Sequence, residues 1–204
     1  MPVDWAITQN NLGTTFRAIG ERTGDINLLN QAVEAYTKAL EVRTRDEMPA
    51  NWAMTQNNLG IMLESIGQQT GDINRLNQAV EAYTKALEVY TRDEMPKEFA
   101  QTSYRKGLAH LAIGKHSRSV DAYNSAIQDF RDEQSIITRD EDADGWSVTQ
   151  NEVAKAYMAI YSITKDEDTL ASAKQVIALA LEVDAENEDF KETAAEIEAA
   201  VRLE

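Results

Sequence analysis

The chain has 204 residues, no cysteine and a formal net charge of −15 at neutral pH. The acidic balance argues against a general nucleic-acid or membrane-surface binder, because both functions need basic surface. Without cysteine, neither disulfides nor thiolate zinc sites can stabilise the fold. No apolar run is long enough to span a bilayer, and the first residues carry no signal pattern. We therefore expect a cytoplasmic protein.

A segment that begins with an aromatic residue recurs along the chain, in altered form in the third and fourth copies, at a constant spacing of 47 residues. Such a period is typical of helical repeats, in which each unit buries its apolar face by stacking on the next. The sequence therefore predicts one all-α domain over residues 1–204. The recurring segments are Trp5–Gly13, Trp52–Gly60, Phe99–Gly107 and Trp146–Ala154, and the units are about 2–48, 49–95, 96–142 and 143–186, with a capping helix over 187–203.

Each unit is predicted to contain two helices, because apolar residues recur at steps of three and four. Asp25 has the side chain and the position of an N-cap for the second helix of unit one. Gly13 lies inside the first helix, where glycine costs about 1 kcal/mol relative to alanine. We expect this glycine to accommodate Tyr36 from the second helix, and Gly60 to accommodate Tyr83 in the same way.

The third unit departs from this pattern at its turn. Gly20 is predicted to end the first helix of unit one, and Gly114 to end that of unit three. Seven residues that separate the helices of the other units are then missing after Gly114. We therefore expect the second helix of unit three to use Tyr123 in the place of Tyr36. It should run on through Ile136, about two turns longer than its counterparts.

Small and large residues alternate between the helices of every unit. They are Leu12, Gly13, Phe16, Ala32, Tyr36 and Ala39; Leu59, Gly60, Leu63, Ala79, Tyr83 and Ala86; Gly107, Ser119, Tyr123 and Ala126; and Ala154, Tyr157, Ala173, Ile177 and Ala180. This pattern resembles the tetratricopeptide repeat, in a long 47-residue variety similar to bacterial and kinesin-light-chain-like repeats. The resemblance implies a right-handed α-solenoid of four helix-turn-helix units plus the capping helix.

The resemblance also implies a binding groove lined by the first helices, where asparagine side chains commonly hold a peptide backbone. An amide offers both a donor and an acceptor to a peptide group, and methionine adapts to varied apolar partners. Alternatively, these polar residues face water or form hydrogen bonds between adjacent helices. The predicted groove residues are Asn10, Asn11, Asn57, Asn58, Tyr104, Arg105 and Asn151, with Ile7, Met54, Ile61, Leu108, Leu111 and Met158 for apolar contacts.

Catalytic candidates are few in this sequence. The imidazoles are His110, which occupies a packing position, and His116, which lies in a turn. With no cysteine and no phosphate-binding glycine loop, the sequence favours neither a nucleophilic mechanism nor nucleotide chemistry. We predict that the protein is not an enzyme and needs no cofactor.

One segment has spacing that suits a metal. Asp140, Asp142 and Asp144 alternate before Gly145 as in a calcium loop, but the closing bidentate glutamate is missing. We regard calcium as the weaker alternative and favour capping of the following helix by these carboxylates.

The sequence therefore predicts a non-catalytic scaffold that binds a peptide or protein segment, but neither nucleic acid nor membrane. Arg105 belongs to the one unit that is not net acidic, so we expect it to meet a ligand carboxylate. The alternative is a regulatory or self-associating repeat segment of a larger multidomain enzyme or signalling protein. No cap precedes Trp5, so self-association through the uncapped N-terminal repeat is a further expectation.

Overall fold

The computed structural model describes residues 2–202, which form nine α-helices and no strand. The prediction of an all-helical chain is confirmed. None of the helices in this range is long and apolar enough to cross a membrane. The helices are α1 (Pro2–Thr23), α2 (Ile26–Leu40), α3 (Pro49–Thr70), α4 (Ile73–Leu87), α5 (Pro96–Ser117), α6 (Val120–Gln134), α7 (Ala143–Thr164), α8 (Glu167–Leu181) and α9 (Glu188–Arg202).

The first eight helices form four pairs that repeat every 47 residues. Each pair joins a first helix of 22 residues to a second helix of 15 residues. Consecutive helices pack against each other along the described chain, so α2 lies against both α1 and α3, and α4 against both α3 and α5. Each second helix therefore joins its own unit to the next one.

Glycines inside the first helices let the second helices approach closely, as predicted. A β-carbon at Gly13 would lie 2.8 Å from the Tyr36 ring, and one at Gly60 would lie 2.6 Å from the Tyr83 ring. Both rings are fully buried. The apolar surface that each ring buries offsets the helix propensity that the glycine loses, since burial of such a side chain stabilises by about 1.5–3 kcal/mol.

The prediction for the second helix of unit three is wrong. Helix α6 ends at Gln134 and has the same 15 residues as its counterparts, so it does not run on through Ile136. Gly114 does not end α5, because it is buried within that helix against Tyr123. A β-carbon at Gly114 would lie 2.7 Å from the Tyr123 ring. The counterpart of Tyr36 is instead Phe130, which packs over Gly107.

Gly20 likewise lies inside α1, against Leu29, rather than at the end of the helix. The helix pairs are joined one turn later, by a residue with left-handed backbone conformation. The φ angle there is 68° at Gly24, 72° at Gly71, 55° at Arg118 and 57° at Lys165. The turn thus has one geometry in all four units, although only two of them use glycine.

An N-cap follows each of these turns. The Asp25 carboxylate accepts a hydrogen bond from the backbone N–H of Asn27 at 2.8 Å, which confirms the predicted cap. Asp72, Ser119 and Asp166 cap the other second helices in the same way. Each cap satisfies a backbone donor that the first helical turn would otherwise leave unpaired.

Helix α9 covers the last pair by packing on α8 and α7. Phe190 and Ile197 are almost fully buried against Leu170, Ile177 and Tyr161. This helix therefore closes the apolar face that unit four would otherwise expose at the C-terminal side of the stack.

Candidate binding groove

The first helices line one side of the stack. Each of α1, α3 and α5 contacts the next first helix, whereas the second helices within residues 2–202 touch only their immediate neighbours in the chain. The first helices are therefore closer together, so the stack curves towards them. This geometry gives the first helices the inner surface of the curve.

A cleft of about 750 Å³ opens on this inner side, mainly between α5 and α7. Its apolar lining includes Leu108, Leu111, Ala112 and Ala159, and five helices contribute to it, among them α6 through Tyr123. The polar lining residues are Gln68 from α3, Lys115 and His116 from α5, Glu152 and Lys155 from α7, and Glu196 from α9.

Lys155 holds one wall of the cleft in place through hydrogen bonds to two carboxylates. Its ammonium group donates to the Asp189 carboxylate at 2.9 Å and to the Glu152 carboxylate at 3.1 Å. Burial alone would lower the pKa of Lys155, but these hydrogen bonds outweigh it and raise the pKa above the ordinary value. Lys155 is therefore a fixed positive charge that ties α7 to α9.

Three of the predicted groove asparagines form hydrogen bonds inside the fold. Asn10 is 6% exposed, and its amide oxygen lies 3.3 Å from the Thr55 hydroxyl of the next unit. Asn151 is 1% exposed and donates to the Asp189 carboxylate at 2.6 Å. Asn57 repeats the first arrangement, 3.3 Å from the Thr102 hydroxyl. The amides of Asn10 and Asn57 connect adjacent units, and that of Asn151 connects unit four to α9. Hydrogen bonds between adjacent helices are the alternative that the sequence left open.

The remaining predicted groove residues are more accessible. Asn11, Arg105, Met54 and Ile7 are exposed and Asn58 is half-buried, whereas Ile61 and Met158 are partly buried against the core clusters. Tyr104 is also partly buried, with its ring 5.6 Å from that of Phe130. Leu108 and Leu111 are the two predicted residues that line the cleft itself.

Sequence reasoning missed a buried carboxylate in unit two. Glu64 lies on α3 and is buried. Its carboxylate accepts one hydrogen bond from the Tyr83 hydroxyl at 2.5 Å and another from the Gln68 amide. Burial raises the pKa of Glu64 although these hydrogen bonds and the charge of Arg105 act in the opposite direction. The position is on the inner helix, so Glu64 brings an acidic group beneath the groove next to Arg105.

A second buried carboxylate, Asp129, lies in unit three. It is 4% exposed and accepts hydrogen bonds from Lys106 at 2.8 Å and from His110 at 2.6 Å. The same positions in unit two hold Ala82, Leu59 and Leu63. One apolar contact of the repeat has therefore been replaced by a charged network. The three polar residues at otherwise apolar positions of the repeat were the signal of it in the sequence.

The third buried carboxylate is Glu133, at a position where the other units have alanine. Glu133 is 6% exposed, and its Oε2 atom has no hydrogen-bond partner among the described residues. Burial raises its pKa to about 7, with a further contribution from the charge of Asp142, against the opposing hydrogen bond of Thr149. It lines a second, smaller cleft with Tyr104 and Val148.

The acidic segment before α7 acts as a helix cap. Asp142 is the N-cap residue and accepts a hydrogen bond from the backbone N–H of Gly145 at 2.9 Å. Asp140 and Asp144 are exposed. In the range 2–202, no group of three acidic or histidine side chains is placed to hold a metal ion.

No family model matches the chain, and no curated protein does. Among solved structures, it is similar to a chain described as "DHF58 filament", with a TM-score of 0.50 and 18% sequence identity. The alignment covers 96% of this chain and 98% of that one. At this level of identity the similarity concerns the fold alone.

Proposed function

We propose that this protein is a non-catalytic scaffold of the tetratricopeptide type that binds a peptide or protein segment in its inner groove. The proposal includes a right-handed solenoid, as the resemblance implies. The observation that carries it is the cleft between α5 and α7, which combines apolar walls with fixed charges on the inner surface. Such a cleft offers apolar contact to a side chain of the ligand, and its charged groups can fix the orientation of the bound segment.

The proposed contact set follows from the repeat. Glu152 lines the cleft, and Asn11, Asn58 and Arg105 occupy its position in the other first helices. A ligand that continues along the groove from the cleft would therefore meet these side chains in turn. Asn10, Asn57 and Asn151 are left out of the contact set, because their amides are engaged between units.

The ligand we propose carries an apolar side chain for the Leu108 and Leu111 wall and a carboxylate for Lys115. Lys115 is exposed at the cleft, whereas Lys155 is already paired with Asp189. Arg105 would offer a second contact, a pair of parallel hydrogen bonds to an acidic group further along the ligand.

A peptide selection tests this proposal. A phage-displayed library of random peptides is selected against the chain, and the affinity of the recovered peptides is then measured for two double variants. Asn58→Ala with Arg105→Ala should weaken binding by about 1–3 kcal/mol per lost polar contact. Glu34→Ala with Glu81→Ala, which removes two exposed ion pairs on the second helices, should leave it unchanged.

If the Glu34→Ala and Glu81→Ala variant lost binding and the Asn58→Ala and Arg105→Ala variant kept it, the binding surface would lie on the second helices. The proposal would also be contradicted if the selection recovered no peptide that binds in the cleft, although circular dichroism shows the chain to be folded. Lys115→Glu adds a third readout, because it should shift the selected sequences from acidic to basic without changing thermal stability.

A further inference from the structure

Helix α1 exposes an apolar stripe on the side that faces away from α3. Trp5 and Leu12 are each 40% exposed, and Ile19 is 37% exposed. No helix within residues 2–202 covers this stripe. The sequence places these residues on the apolar face of their helix, so their exposure is a departure from that expectation.

The internal repeats show what such a stripe does elsewhere in the chain. One period later, Trp52 and Leu59 are partly buried, and Ile66 is almost fully buried against Leu29 on α2. The threonine of the stripe behaves in the same way. Thr8 is exposed, whereas its counterpart Thr55 is fully buried between units one and two. The stripe on α1 is therefore a surface of the kind that this fold uses to join one unit to another.

A second copy of the chain cannot cover the stripe by continuing the stack head to tail. The matching surface would be the C-terminal side of α8, which α9 already occupies. Phe190 and Ile197 of α9 are each 2% exposed, so this cap would have to be removed first. A two-fold interface can instead use the N-terminal stripe of both copies, because such an interface pairs a surface with itself.

The stripe is suited to pairing with itself in an antiparallel direction. Trp5 lies seven residues before Leu12 and Ile19 seven residues after it, and seven residues nearly preserve the face of a helix. Two antiparallel copies of α1 that cross at Leu12 therefore place each Trp5 beside the Ile19 of the other copy.

Charge supports the same arrangement. Helix α1 carries two acidic and two basic residues in a chain with a net charge of −15, so self-repulsion is weak along this helix. The acidic residue of its first turn is Asp4 and the basic residue of its last turn is Arg22. An antiparallel pair brings opposite charges together at both ends.

We propose that two copies of this protein form a two-fold symmetric dimer through antiparallel α1 helices, with Leu12 at the symmetry axis. This inference is independent of the proposed groove, which lies on other residues.

Sedimentation equilibrium on the 204-residue chain gives the first test. The wild type should have about twice the monomer mass of 22.8 kDa, and Leu12→Glu should sediment as a monomer, because two carboxylates would meet at the axis. Val148→Glu is the matched control, since Val148 is 42% exposed on α7, and it should remain dimeric. A monomeric wild type at all concentrations up to about 100 µM, or a Leu12→Glu variant that dimerises as tightly, would overturn the proposal.

The absence of cysteine allows a test of the symmetry. Leu12→Cys should form a disulfide between two copies under mild oxidation, because the axis brings residue 12 close to itself. Trp5→Cys and Ile19→Cys should cross-link when the two variants are mixed, and neither should cross-link alone. Cross-linking of Leu12→Cys into species larger than dimers, or no cross-linking at all, would exclude the two-fold arrangement.

Discussion

Glu133 shows how one residue can oppose the pattern of its repeat. The three equivalent positions, Ala39, Ala86 and Ala180, are fully buried alanines. At position 133 the chain instead buries a carboxylate with one oxygen unpaired among the described residues. Burial of a charged group without a full set of hydrogen bonds is unfavourable, which is why the pKa of this residue rises to about 7.

This pKa determines the pH dependence that Glu133 contributes. Its ordinary value is 4.5, so the folded state binds the proton more tightly than the unfolded state does. The contribution to stability is therefore most favourable below about pH 4.5, decreases as the pH rises, and is fully lost above about pH 7.

We predict that Glu133→Ala raises the free energy of unfolding at pH 8 by up to about 3 kcal/mol, because each tenfold change in proton affinity corresponds to about 1.36 kcal/mol. The gain should shrink as the pH falls to 5. Urea denaturation at both pH values measures it, and Glu133→Gln, which keeps the side-chain volume, controls for a cavity. An equal change at both pH values would mean that the carboxyl group does not titrate in this range.

A second feature at the residue scale is the matched size of facing side chains. Gly107 faces Phe130 in unit three, whereas unit four has Ala154 and Ile177 at the same positions, both in one buried cluster. The added methyl group on one helix accompanies a smaller side chain on the other. This compensation keeps the distance between the paired helices nearly constant.

At the scale of the elements, the helix pairs depend on the left-handed turn. Gly24 and Gly71 adopt a positive φ without strain, but Arg118 and Lys165 must hold the same conformation with a β-carbon. That conformation costs an ordinary residue roughly 1 kcal/mol. The turns of units three and four therefore carry strain that units one and two avoid.

We predict that Arg118→Gly stabilises the protein by up to about 0.5 kcal/mol, the part of the strain that remains after the added freedom of glycine in the unfolded chain. Differential scanning calorimetry would show the increase as a higher melting temperature. The reverse substitution, Gly24→Arg, should destabilise by a similar amount, because a β-carbon at Gly24 meets nothing within 4 Å. If Arg118→Gly lowers the melting temperature, the Arg118 side chain stabilises the fold by more than the strain it causes.

At the scale of the whole molecule, stability is divided along the stack. Each pair of helices contacts only adjacent pairs, and α9 contacts only α7 and α8 in the described chain. In such an architecture a local loss of packing need not spread to distant units.

We therefore predict that Phe190→Ala, which removes a buried ring worth about 3–5 kcal/mol, loosens only the C-terminal end. Hydrogen exchange followed by mass spectrometry should show faster exchange in α7, α8 and α9, with α1 to α4 unchanged. Val201→Ala at an exposed position of α9 is the control. Faster exchange over all nine helices would indicate instead that the chain unfolds as one cooperative unit.

The repeat period, the helical class and the glycine–tyrosine pairs of units one and two could all be predicted from the sequence. Local spacing and side-chain size determine these features, and both can be counted in a single chain. The N-caps are also local, since Asp25 reaches a backbone donor only two residues away.

Tertiary packing decided the register of unit three, the placement of Asn10 and Asn151, and the exposure of Leu12. In each case the residue type is compatible with two environments. A glycine ends a helix or lies inside it beneath a ring, as Gly114 does. An amide faces a groove or joins two units, and an apolar stripe is buried or exposed according to whether another helix lies on it. Such alternatives depend on residues of another helix, from Tyr123, nine positions beyond Gly114, to Thr55, 45 positions beyond Asn10, so the local pattern cannot distinguish them.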